Sequence, residues 1–252
     1  MQLKDQVALI TGGASGLGRA TALMMAREGA NVAIADLNTD MGAEVVREVE
    51  KLGRKALCLR TDTTRKDQVH AIVKKTLDSF GRIDILVNSA GVTHRAYVID
   101  MPEDKWDWVV AVHLKSVFLC AQAVLPSMME RKYGRIVSIA SRAAFKGRVR
   151  TGPYAAAKGA MISFSRVLAA ETASSGITVN CIAPGTTTTP LVLKTMGEAE
   201  MANEAKNSGV ITTPVRLATP DEQAAAIMYL VGSYSSHITG QTIHVNGGSF
   251  MP

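Results

Sequence analysis

Tyr154 and Lys158 stand four residues apart in the segment Tyr154-Ala155-Ala156-Ala157-Lys158. In a helix that interval stacks two side chains on one face. A free phenol titrates near ~10, too high for proton exchange at neutral pH. A neighbouring ammonium favours the phenolate and lowers that value, which makes tyrosine a usable acid and base. The intervening alanines leave the face open to a ligand. Alone, such a pair describes an ordinary surface contact, so its company decides its meaning.

A second constellation lies near the N-terminus. Thr11-Gly12-Gly13-Ala14-Ser15-Gly16-Leu17-Gly18 follows an apolar run and opens a helical pattern. Glycines at 12, 16 and 18 let the backbone turn tightly and approach a pyrophosphate, and the helix start supplies free N–H groups. Glycine clusters also serve plain turns. Here, however, Asp36 ends the next apolar run, where an acidic ribose-binding residue belongs. A carboxylate there accepts both ribose hydroxyls and repels a 2′-phosphate. The neighbouring Gly13 and Leu37 offer no cation, and Arg19 falls inside the helix. NAD is therefore expected over NADP. A turn-forming role for Asp36 before Asn38 and Thr39 explains less.

These residues need a frame to hold them. Seven short β-rich runs, at 7–11, 31–36, 56–60, 83–88, 135–140, 178–182 and 242–245, alternate with helical patterns. The helices are expected at 15–29, up to Leu52, and at 65–80, 103–131, 153–174 and 221–231. Strands apolar throughout and separated by helices imply an α/β fold, a parallel sheet of about seven strands covered on both faces. No composition break divides residues 1–252, so one domain is expected. The stretch 186–213 is rich in Thr, Met and Gly with weak periodicity, and reads as an irregular flap over the ligand crevice.

Composition narrows the function further. Hydrophobic residues make up 47% and charged residues 20%, the balance of a soluble globular chain. The net charge of +6 invites a nucleic-acid reading, but the cations are interspersed with acids except around 142–150, so none is expected. No charged leader precedes the first strand, and no uninterrupted apolar run suggests a bilayer span, so neither a signal peptide nor a membrane partner is expected. Cys58, Cys120 and Cys181 match no ligand spacing and read as buried thiols of a cytoplasmic protein. His70, His94, His237 and His244 form no metal cluster.

Taken together, the chain resembles the short-chain dehydrogenase/reductase family in its single-domain form, over essentially its whole length. The marks are the loop 11–18, Asp62, Asn88-Ser89-Ala90-Gly91, Ser141, Tyr154 with Lys158, and Pro184-Gly185 with Thr189. The resemblance implies a Rossmann-type doubly wound sheet and hydride transfer between a nicotinamide and a hydroxyl- or carbonyl-bearing carbon. Tyr154 would exchange the proton, Lys158 would bind the nicotinamide ribose and depress the phenol, and Ser141 would hydrogen-bond the substrate oxygen. Gly12, Ser15, Gly16, Leu17 and Gly18 would hold the cofactor with Asp36. Asp62 and Thr63 would take the adenine, Asn88, Ala90 and Gly91 the ribose side, and Pro184, Gly185, Thr187 and Thr189 the carboxamide. Single-domain members commonly form homotetramers, through the long central helices and through the C-terminal strand.

Three departures stand out. Val112-His113-Leu114 places a histidine where the family usually has the asparagine of its proton relay; imidazole can itself carry protons, so activity is expected to survive. Ser89 replaces a second asparagine. Asn246 replaces the more frequent aspartate before Gly247-Gly248, a change expected to affect packing rather than chemistry. Two other functions compete: a 3-oxoacyl-[acyl-carrier-protein] reductase, which usually takes NADPH, and a non-catalytic nucleotide-binding redox sensor. Lastly, Arg142, Lys146, Arg148 and Arg150 precede Tyr154 with no acid among them, and Arg95 follows another strand end. Arginine pairs with carboxylates through two hydrogen bonds. An acidic substrate is therefore expected, with Arg148 or Arg150 as its anchor.

Overall fold

The computed structural model describes residues 1–207, 211 and 216–252. All seven aliphatic runs become strands of one parallel sheet, in the order β3-β2-β1-β4-β5-β6-β7. They are β1 (Val7–Thr11), β2 (Asn31–Asp36), β3 (Ala56–Arg60), β4 (Ile85–Asn88), β5 (Gly134–Ile139), β6 (Ile177–Pro184) and β7 (Thr242–Val245). The chain runs outward from β1 through β3, then returns to the middle with β4. That reversal leaves a crevice beyond the carboxyl ends of β1 and β4, where ligands of open α/β sheets bind.

Both faces of the sheet are covered, which is why the central strands are apolar along most of their length. Ala8 and Ile10 point into one layer with α1 (Gly16–Arg27), α2 (Thr39–Lys51) and α8 (Pro220–Val231). Leu9 points into the other, with α3 (Lys66–Phe80), α5 (Ser116–Glu130) and α6 (Gly152–Thr172). Within the run at 83–88 the regular strand begins at Ile85. Asp84, fully buried, accepts from the Val7 amide and from the Arg82 and Arg131 guanidinium groups, at the sheet end away from the crevice.

The expected helix 103–131 is α4 (Glu103–Val110) and α5, joined by a π-helical turn at Ala111–Lys115 that contains His113. By length and composition the stretch Glu103–Glu130 is long and apolar enough to cross a membrane. Leu119, Cys120, Ala121, Val124 and Met128 instead pack into the core beside β4 and β5.

The flap departs from expectation as well. From Pro190 to Asn207 it is a helix, α7. Its apolar residues are not gathered on one stripe, so no periodicity announces it. The start is defined by proline at the first position and by Thr189 Oγ1, which accepts from the Val192 amide at 3.3 Å. Residues 208–210 and 212–213 of the expected flap lie outside the described residues.

Candidate active site

A cavity of about 650 Å³ opens beyond the carboxyl ends of the strands. At one end lies the glycine loop, held by a backbone hydrogen bond from Gly12 N to Ala35 O at 2.8 Å. Gly12 has φ +64, and a Cβ there would sit 2.8 Å from Ala90 Cα. A Cβ on Gly18 would come within 2.1 Å of Gly12 O. Glycine is required at both places, by close backbone approach. Gly12, Ser15, Gly16 and Leu17 line the cavity; Gly18 supports them from behind.

Two loops join that cradle. Thr11 Oγ1 accepts from the amides of Ser89 and Ala90, both at 3.1 Å, tying the end of β1 to the segment after β4. Sequence reading quoted Thr11 only as part of the motif and missed this role. Asp36 sits at the cavity with Oδ2 accepting from Ala14 N and Oδ1 from Asn38 N, each at 3.0 Å. Two main-chain amides thus aim the carboxylate at the crevice. Asp62 and Thr63 line the same end, and Asp62 Oδ1 accepts from the Thr64 amide and hydroxyl at 2.9 and 2.7 Å. Ala90 and Gly91 line it too, whereas Asn88 is buried behind them and donates to Ser138 Oγ at 3.1 Å. A carboxylate at the end of β2, bare glycine backbone and the start of α1 suit a dinucleotide.

The chemical groups meet where β5 ends and α6 begins. Ser141 opens a short turn after β5, its Oγ accepting from Ala143 N at 3.1 Å. Tyr154 lies in the first turn of α6, hydrogen-bonded to Ser141. Lys158 is buried one turn later and donates from Nζ to Ile139 O. All three face the cavity. Burial raises the phenol above its ordinary value, against the Ser141 hydrogen bond and the charge of Arg148. Lys158, expected to depress it, is itself pushed down to about 7 by burial and holds its Nζ 5.6 Å from the centre of the Tyr154 ring.

His113 is packed beside them, with its ring edge-on to Tyr154 at 5.1 Å. Nε2 lies 2.7 Å from Val92 O and 3.2 Å from Val92 N; the shorter contact fits the Nε2–H tautomer, and Nδ1 is buried without a partner. Burial and the charge of Lys158 lower its pKa to about 3. The ring therefore stays neutral at working pH. Its imidazole also explains Gly91, where a Cβ would lie 2.9 Å from His113 Cε1.

Beyond the catalytic groups, Pro184, Gly185, Thr187 and Thr189 line the cavity, with Thr187 Oγ1 donating to Gly185 O at 3.2 Å. The far end carries Arg95, Arg142, Lys146 and Arg148. Arg150 is not among the lining residues. It takes φ +68 and lays its guanidinium over the Tyr97 ring at 5.7 Å, so the expected anchor at 150 gives way to Arg148. Sequence reading missed the apolar wall of Trp108, on α4, and of Leu191, Val192 and Met196, on α7, which shows no periodicity. Among the described residues no group of three metal-ligating side chains occurs.

A nucleotide cradle set against a Ser–Tyr–Lys site defines a dinucleotide-dependent oxidoreductase. Residues 6–200 match the family described as short chain dehydrogenase, and the chain belongs to that family, whose members act on hydroxyl and keto groups. It is 41% identical over 249 residues to the (2S)-[(R)-hydroxy(phenyl)methyl]succinyl-CoA dehydrogenase subunit BbsD of Thauera aromatica, covering 98% of each chain. It is 37% identical to the 3-oxoacyl-[acyl-carrier-protein] reductase FabG of Thermotoga maritima, covering 98% of this chain and 99% of that one. Levodione reductase superposes with a TM-score of 0.92 at 32% identity, covering 98% of each chain.

Proposed function

We propose that this protein is an NAD(H)-dependent oxidoreductase that interconverts a secondary alcohol and a ketone on a substrate bearing an acidic group. The observation behind this reading is the polarity of the cavity. Asp36 and Asp62 stand at one end, Arg95, Arg142, Lys146 and Arg148 at the other, and Ser141, Tyr154 and Lys158 between them. The carboxylate of Asp36 disfavours a 2′-phosphate by like-charge repulsion.

Bound nicotinamide supplies the hydride acceptor or donor. Ser141 Oγ holds the substrate oxygen and steadies its developing charge. In oxidation, Tyr154 as phenolate takes the hydroxyl proton while the electron pair of the adjacent C–H bond leaves as hydride; in reduction the phenol returns the proton. Lys158, on the next turn, faces the ribose side. His113, neutral and edge-on, keeps the Tyr154 ring in place.

The relatives favour a second, narrower reading. Both names describe an oxygen-bearing carbon in an acyl group held on a carrier, CoA in one and acyl carrier protein in the other. A carrier's phosphates would also suit the basic end. The non-catalytic sensor is disfavoured by three catalytic groups converging in one cavity. The deciding experiment follows nicotinamide absorbance with NAD and NADP over neutral alcohols, hydroxy acids and 3-hydroxyacyl-CoA thioesters. Turnover of acidic substrates or thioesters with NAD supports the proposal; turnover of neutral alcohols alone, or none, rejects it.

We also propose that the protein is a cytoplasmic homotetramer. Phe118 and Val167 are exposed on α5 and α6, where a twofold partner would cover them. A light-scattering mass of one 26.8 kDa chain would contradict that assembly.

A further inference from the structure

The geometry points to the C-terminal turn at 246–250 as a positioning element for the substrate end of the cavity, acting through Phe250 on Phe145. The turn is closed by one side chain. Asn246, buried, donates from Nδ2 to Phe250 O at 3.0 Å and accepts at Oδ1 from Phe250 N at 3.4 Å. An aspartate could make only the second bond and would set a charged oxygen against the carbonyl. The departure at Asn246 therefore has a local reason. Gly247 and Gly248, at φ +62 and +78, carry the chain through two left-handed residues that side chains would resist.

Closing the turn places the Phe250 ring against Phe145, at 5.5 Å and 24°. His244 completes the cluster, 4.7 Å from Phe145 and 5.4 Å from Phe250. Phe145 lies in the loop after Ser141, between Arg142 and Lys146, both of which line the cavity. Its ring is thus a contact that carries this basic loop onto the rigid sheet edge at β7. Two other segments lean on the same turn. A Cβ on Gly185, in the turn that lines the nicotinamide end, would sit 3.0 Å from Asn246 Cα. Ile211 donates its amide to Gly247 O at 2.8 Å.

A loop held through an aromatic stack shifts its population by a few-fold when the stack is lost. The kinetic arm rests on the substrate reading above; the exchange arm does not. In Phe250→Ala, KM for the best acidic substrate is expected to rise about fivefold, with kcat and NADH affinity within about twofold. Amide hydrogen exchange at 142–150 should quicken while β5 is unchanged. Phe250→Tyr keeps the stack and should behave as wild type, and Asn246→Asp should reproduce a smaller part of the Phe250→Ala effect. Unchanged exchange at 142–150 in Phe250→Ala would overturn the inference. So would faster exchange with no change in KM, or a parallel loss of kcat and KM that Phe250→Tyr shares. If the wild-type enzyme turns over no substrate, the proposed function fails by itself, and exchange alone decides the role of the tail.

Discussion

At the nucleotide end of the cavity, Gly12, Gly18, Thr11 and Asp36 are fixed by main-chain geometry. Close approaches of 2.8 and 2.1 Å forbid side chains, and backbone amides aim the oxygens. At the substrate end, Arg95, Arg142 and Arg148 ride on loops, and an aromatic stack from the C-terminus ties one of them down. The first kind of site tolerates almost no substitution but repeats unchanged for any substrate. The second can be rewritten by side-chain exchange without disturbing the sheet. That division explains how one frame serves different alcohols, and it is open to direct test.

The largest effect should come from the groups between the two ends. Tyr154→Phe is expected to lower kcat by about 10²–10⁴-fold, the usual worth of a positioned acid–base group, with NADH binding nearly intact. Lys158→Ala should lose turnover and weaken NADH binding together. Fluorescence titration of NADH beside steady-state rates separates the two outcomes, and robust turnover by Tyr154→Phe would break the mechanism. Next comes cofactor choice: kcat/KM with NAD should exceed that with NADP by about 100-fold, as expected of several kcal/mol of like-charge repulsion. Equal efficiencies would remove Asp36 from its role.

His113 sharpens the comparison through pH. Its folded pKa of about 3 lies below the ordinary 6.5, so between those values only the unfolded chain binds the proton. Stability is thus lost as pH falls from 6.5 toward 3, by an amount on the order of a few kcal/mol. Urea midpoints at pH 7 and pH 5 should fall less in His113→Asn than in wild type; an equal fall would mean the ring is not held neutral. The smallest effects belong to the basic end. Arg142→Ala and Arg148→Ala should each raise KM about tenfold for an acidic substrate over a neutral analogue, the loss of a charge-assisted hydrogen bond. Arg150→Ala, stacked on Tyr97, should leave KM unchanged. A reversed order would restore Arg150 as the anchor.

The sequence by itself determined the frame and most of the nucleotide end. Short aliphatic runs broken by helices specify a parallel sheet covered on both faces. A glycine loop followed by Asp36 is a local pattern, because each residue acts within a few positions of its neighbours. The pairing of Tyr154 with Lys158 was equally legible, since helical spacing alone puts them on one face. The tertiary structure decided the rest. Helix α7 has no apolar stripe, so only its docking over the crevice reveals Leu191 and Met196 as cavity wall. Arg148 and Arg150 are two residues apart in the same basic run, yet one lines the cavity and the other covers Tyr97. No periodicity distinguishes them, because a loop's side chains point where the surrounding fold leaves room. His113 and Asn246 teach the same lesson. Whether a histidine is charged, or an asparagine is needed where an aspartate is usual, depends on burial and on partners more than 20 positions away in one case and four in the other. Such facts are set by packing, which spacing in the sequence does not record.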